Sequence, residues 1–196
     1  MLVRSFLAAM LLSTAATAQT APDPARIKAE RDFFEKVVEI PTVAGRGQMP
    51  KLTALLASEF RGAGITDIVI KDHEGKPGDK TQTMIARWPA AKPSGKKPIL
   101  LMAHMDVVEA NPADWKHDPF TFREENGHYL GRGTLDNKAG LVGMMLGVLN
   151  LKRSGFQPTR DIIFLFTGDE ETAQNGARLA GSEWKDLIDA EYALNS

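Results

Sequence analysis

The chain has 196 residues, with 24 lysines and arginines against 25 aspartates and glutamates and a formal net charge of −1. That balance gives no reason to expect nucleic acid or an anionic membrane as a partner, and the length suits one ordinary domain. No cysteine is present, which excludes disulfides and thiolate metal sites, so any metal must be held by His, Asp or Glu.

The first residues, MLVRSFLAAMLLSTAATA, place Arg4 before an apolar run from Phe6 to Leu12 and end in Ala16-Thr17-Ala18. This is the order of a secretory signal with cleavage after Ala18. A short membrane anchor is the competing reading, but spanning a bilayer takes about 20 apolar residues. The expectation is an exported protein, periplasmic or secreted, with no stable membrane anchor and a mature domain over 19–196.

Asp23-Pro24 predicts a helix N-cap followed by a first-turn proline. That helix would carry Ile27, Phe33, Phe34, Val37 and Val38 and stop at Pro41. A second helix, Met49 to Arg61, ends at the Gly62/Gly64 pair. Strand-like runs follow at Thr66–Lys71, Thr83–Trp88 and Pro98–His104, the last two separated by the loop PAAKPSGKK. Asn126-Gly127 predicts a hairpin turn. From Asn137 to about Ser154 the pattern is helical, apolar nearly all round and closed by Gly155, so this helix should be buried. Its Gly143 and Gly147 suggest close packing on a sheet. A strand Asp161–Phe166, a helix around Ala177–Leu187 and a strand Glu191–Leu194 complete the chain. Strands alternating with helices imply an α/β sandwich with a largely parallel sheet.

Three places carry polar residues at the ends of apolar elements, where open α/β sheets bind ligands. In ILLMAHMDVV, His104 ends a strand and Asp106 follows two residues later. Residues i and i+2 share a side of an extended chain, so Asp106 can brace the imidazole as metal-binding histidines are usually braced. A structural His–Asp pair is an equal alternative. In GRGTLDNKAG, Asp136 directly precedes the apolar helix, as a metal ligand or equally as a cap favoured by the helix dipole. In FTGDEET, a buried strand runs into Asp169-Glu170-Glu171. Adjacent residues leave a strand end in different directions, so the two glutamates would divide metal binding from proton transfer. A solvated acidic turn is the competing reading. The stretches G-x-S-x-G and H-E-x-x-H do not occur, which argues against a serine hydrolase and a single-zinc protease of those types.

Taken in order, HMD, GRGTLDNKAG and GDEE resemble the di-zinc metallopeptidase family of carboxypeptidase G, aminoacylase-1 and succinyl-diaminopimelate desuccinylase, and DFFEKVVEIPTV, DWKHDPF and AEYALN extend the resemblance along the mature chain. The resemblance implies a zinc-peptidase-like three-layer sandwich with a mostly parallel mixed sheet, incomplete here. It implies that His104 binds one Zn2+ with Asp106 orienting its ring, that Asp136 bridges two Zn2+ ions, that Glu171 binds the second and that Glu170 is the general base. The substrate would be a small peptide or an N-acyl amino acid, cleaved at its amide bond. Family members are longer, adding a lid or dimerisation domain, a last zinc-binding His and an acid after the Leu-Asn of the final motif; here Ser196 follows Leu194-Asn195. The chain is therefore expected to be the N-terminal part of the catalytic domain, inactive by itself, from a full-length form that the family pattern makes a homodimer. The alternative is a truncated homologue that binds zinc or peptide without catalysis. Asn137 and Ala139 also depart from the acidic or glycine residues common at their places. His73, His117 and His128 are expected in loops and are not taken as ligands.

Overall fold

The computed structural model describes residues 23–196; the signal-like segment lies outside them. Helix α1, Pro24–Val38, begins where Asp23 accepts the Ala25 N–H at 3.0 Å, satisfying one of the amides that a helix start leaves free. It buries Phe33, Phe34, Val37 and Val38. Helix α2, Met49–Gly62, buries Leu52, Leu56 and Phe60 at helical spacing.

Five strands form one sheet. They are β1 (Asp67–Glu74), β2 (Lys80–Trp88), β3 (Ile99–His104), β6 (Ile162–Thr167) and β7 (Tyr192–Asn195), in the order β1-β2-β6-β3-β7. The sheet is mixed. β3 runs parallel to β6 and β7, while β2 runs antiparallel to β1 and β6. β1 is longer than its strand-like run, which puts His73 in the sheet, its Nε2 2.9 Å from Thr83 Oγ1, and not in a loop. The small hairpin of β4 (Arg123–Glu125) and β5 (His128–Leu130) turns on Asn126-Gly127 as expected and also takes His128 out of a loop.

Period-two alternation separates the two faces of β6. Phe164 and Phe166 enter the cluster beneath α1, α2 and α3 (Lys138–Arg153), while Ile163 and Leu165 enter the cluster beneath the C-terminal helices. Each fully buried aromatic or leucine contributes roughly 1.5–3 kcal/mol, so β6 is clamped from both sides and a three-layer sandwich results. Helix α3, Lys138–Arg153, docks through Leu141, Met145 and Leu149, spaced by four residues and fully buried. The expected glycine contact with the sheet does not form. Gly143 and Gly147 lie on the opposite, exposed side with nothing within 4 Å of a built Cβ. Side-chain bulk, not polarity, sets which way this helix faces. The predicted helix around Ala177–Leu187 divides into α4 (Asn175–Ser182) and α5 (Lys185–Ile188). The N–H groups of Glu183 and Trp184 both turn back to Leu179 O at 2.9 Å, closing α4 there.

The feature that positions the site is the register of β3 on β6. His104 pairs with Thr167, so the loops leaving both strands emerge at the same end of the sheet.

Candidate metal centre

His104 is the last residue of β3 and 7% exposed. Its Nδ1 lies 3.0 Å from the backbone carbonyl of Asp106. A carbonyl only accepts, so Nδ1 carries the hydrogen and Nε2 is the atom presented to the site. There Asp136 Oδ1 stands 3.0 Å away and Glu170 Oε2 3.9 Å away. Burial pulls the imidazole pKa down, but the hydrogen bonds and charge of Asp106, with Glu170 behind, outweigh it and raise it to about 9.

Asp106 does more than brace a ring. Its carboxylate lies 3.4 Å from Nδ1, but each of its oxygens also accepts a backbone N–H at 3.0 Å, one from Glu170 and one from Glu171. One buried acid therefore ties the loop after β3 to the acidic turn after β6. Asp169, buried beside it, closes that turn. Its side chain accepts the N–H of Asn175 at 2.7 Å and of Gly176 at 3.0 Å, and its carbonyl accepts those of Thr172, Ala173 and Gln174. Gly168 permits the tight entry, since a Cβ there would run into the backbone oxygen of Gln82 and lie 2.6 Å from Thr81 Oγ1.

Asp136 does not cap α3. The capping position of that helix belongs to Asn137, and the Asp136 carboxylate, 69% exposed, turns to His104 instead. The Asp136–Asn137 peptide is cis. Lys138 is fully buried, and its ammonium donates to the carbonyls of Val38 at 3.3 Å and Ile40 at 2.5 Å. It fastens the start of α3 to the end of α1, and burial lowers its pKa to about 7.

Two of the departures from the family pattern, Asn137 and Ser196, meet one another. Asn137 Nδ2 donates to Ser196 O at 2.8 Å, and Ser196 Oγ donates to Asn137 Oδ1 at 2.9 Å. Gly140 makes room for this pair, because a Cβ there would sit 2.6 Å from Ser196 Oγ.

Side-chain atoms of His104, Asp136 and Glu171 lie within 4.8 Å of one another. Burial and then the neighbouring charge of Asp136, with Asp106 and Glu170 adding, push the Glu171 pKa up against the opposing pull of His104. Carboxylates crowded this way repel unless a cation joins them. His104, Asp136 and Glu170 edge a cleft of about 410 Å3 that Thr167, Gln174 and Ser196 also line. Sequence reasoning left Asp169, Gln174 and Lys138 without roles. A lysine in an otherwise apolar helix was the available signal for Lys138; the other two look like ordinary turn residues.

Residues 100–195 match the profile of peptidase family M20/M25/M40. Over 91 residues the chain is 40% identical to a probable succinyl-diaminopimelate desuccinylase of Staphylococcus epidermidis, a match covering 46% of this chain and 22% of that protein. Over 80 residues it is 41% identical to the probable carboxypeptidase S-like 2 of Dictyostelium discoideum, covering 40% of this chain and 15% of that protein. Human carnosine dipeptidase 1 shares the fold with a TM-score of 0.72 at 20% identity, over 88% of this chain and 40% of that chain. The di-peptidase Dug1p of Saccharomyces cerevisiae does so with a TM-score of 0.72 at 20% identity, over 88% and 39%. The chain thus spans well under half the length of these relatives. It is through residues 100–195, which carry His104, Asp136 and the acids of the GDEE turn, that the chain is similar to peptidase family M20/M25/M40.

Proposed function

We propose that this chain supplies the metal-binding part of an exported, zinc-dependent amidohydrolase that cleaves a peptide or N-acyl amino acid at its amide bond. The observation that carries the reading is the convergence of His104, Asp136 and Glu171 within 4.8 Å at the ends of β3 and β6. Imidazole and carboxylate donors suit Zn2+, and the raised Glu171 pKa marks a place where negative charge lacks compensation. Support for export is the N-terminal sequence pattern alone.

His104 Nε2, Asp136 and Glu171 would hold zinc, with Asp136, the most exposed of them, placed to reach a second ion. Zinc, when bound, would lower the pKa of a water and polarise the substrate carbonyl. Glu170 would take a proton from the attacking water and return it to the departing amide nitrogen. Asp106 would hold Glu170 and Glu171 in place through their backbone N–H groups. The relatives' names indicate a small acylated or peptide amide as the substrate class.

The test is zinc stoichiometry by calorimetry on metal-free protein, together with hydrolysis of N-acyl amino acids and dipeptides. In the full-length context Glu170→Ala is expected to keep zinc binding and abolish turnover, while His104→Ala and Glu171→Ala lower stoichiometry. Turnover surviving in Glu170→Ala removes the base assignment. Zinc binding with no turnover in the full-length form favours the non-catalytic reading.

A further inference from the structure

Beyond the GDEE acids lies a residue held in a conformation that its side chain does not favour. Gln174, immediately before α4, has φ +55° and ψ +24°. The other non-glycine residue with positive φ among those described is Asn126, at φ +52° in the hairpin turn, where asparagine is at home. Glutamine gains no such local benefit, and glycine would adopt this conformation without steric cost. Strain of this kind persists where the surroundings over-determine it, often at functional sites.

The surroundings here are specific. The Gln174 N–H donates to Asp169 O at 2.8 Å, which fixes the backbone. Its Nε2 donates to Glu170 Oε1 at 3.1 Å. That bond occupies one carboxylate oxygen and leaves the other, Oε2, facing His104 Nε2 at 3.9 Å. Both side chains line the cleft that holds His104 and Asp136. Asparagine tolerates left-handed backbone better but is one methylene shorter, and glycine has no amide to offer.

We infer that Gln174 is a positioning residue that fixes the orientation of the Glu170 carboxylate so that one oxygen stays turned to the reaction cleft, and that its left-handed backbone is retained for that contact. The inference rests on the reading of Glu170 as the base. It differs from a structural role in one respect: stability and turnover should move in opposite directions.

Gln174→Gly is the deciding variant. Its thermal midpoint should be unchanged or higher by about 2–4 °C, with zinc stoichiometry unchanged. Its kcat in the full-length form should fall about five- to tenfold at constant KM, as loss of one ordinary, solvent-exposed hydrogen bond implies. Gln174→Asn should behave likewise, being too short to reach. An unchanged kcat in Gln174→Gly overturns the inference, as does a lower midpoint with activity lost only in proportion to unfolding. If the full-length form hydrolyses no N-acyl amino acid or dipeptide, the hydrolase reading fails separately. The side-chain amide signals of Gln174 in 15N-labelled protein then decide: a shift on Glu170→Ala shows the contact, and no shift overturns it.

Discussion

The acids around the cleft fall into two kinds. Asp106 and Asp169 are 2% and 1% exposed, and their oxygens are filled by backbone N–H groups of the turn that follows β6. Asp136, two-thirds exposed, meets only His104, and half-exposed Glu170 meets only Gln174 and His104. The first kind shapes backbone, each oxygen already accepting an N–H; the second kind is free for a cation or a proton. Glu171 lies between them, its N–H held by Asp106 while its carboxylate is pushed by like charges. The lesson is that hydrogen-bond saturation, not residue type, tells a structural acid from a chemically available one.

The largest effect should come from exchanging the two kinds. Asp106→Ala leaves two part-buried N–H groups without acceptors, which costs about 2–3 kcal/mol, and it should also lose zinc because the acidic turn is released. Asp136→Ala should change the stability of metal-free protein by no more than about 0.5 kcal/mol yet lose zinc as completely. Denaturant titrations with and without zinc read both, and equal destabilisation by the two variants would break the comparison.

An effect of similar size tests availability directly. Free zinc at about 100 times its Kd should stabilise the wild-type chain by about 2.7 kcal/mol, or roughly 5–10 °C in thermal midpoint. Asp136→Ala and Glu171→Ala should show little of that shift at the same concentration. A full shift in either variant would mean that zinc binds elsewhere.

The smallest net effect is a cancellation in pH. In metal-free protein the His104 pKa is raised from 6.5 to about 9, so its contribution to stability is complete below 6.5 and is lost as pH rises toward 9. Lys138 is lowered from 10.5 to about 7, so the unfolded chain binds the extra proton between those values and stability rises with pH there. The two oppose one another from about pH 7 to 9. Wild-type stability should be nearly flat across that window, His104→Ala should rise with pH and Lys138→Met should fall. Matching slopes in all three proteins would show that neither group titrates as its surroundings imply.

Much of this was legible in one dimension. Asp23-Pro24 starts α1 and Asn126-Gly127 turns the hairpin because caps and tight turns depend on the local backbone. The apolar runs before His104 and Gly168 read as buried strands because strands covered on both faces carry few polar positions. His104, Asp136 and Glu171 stood out because each is polar at the end of an apolar element. Other features were not legible. The exposed side of α3 could not be read because glycine and leucine both count as apolar, and only packing separates them by size. Which strand of the mixed sheet runs against the others was not legible either, because β2 can pair in either sense until β1 and β6 are placed beside it.

Local chemistry in the sequence determined the elements, their order and the polar residues offered at their ends, since helix caps, turns and hydrophobic periodicity act over a few residues. Tertiary structure alone decided what those residues do. Asp106 meets Glu170 and Glu171 across 64 and 65 positions, and Lys138 meets Ile40 across 98. Contacts at such separation depend on the register of β3 on β6 and on the docking of α3 against α1. Those are properties of packed faces, not of any one segment.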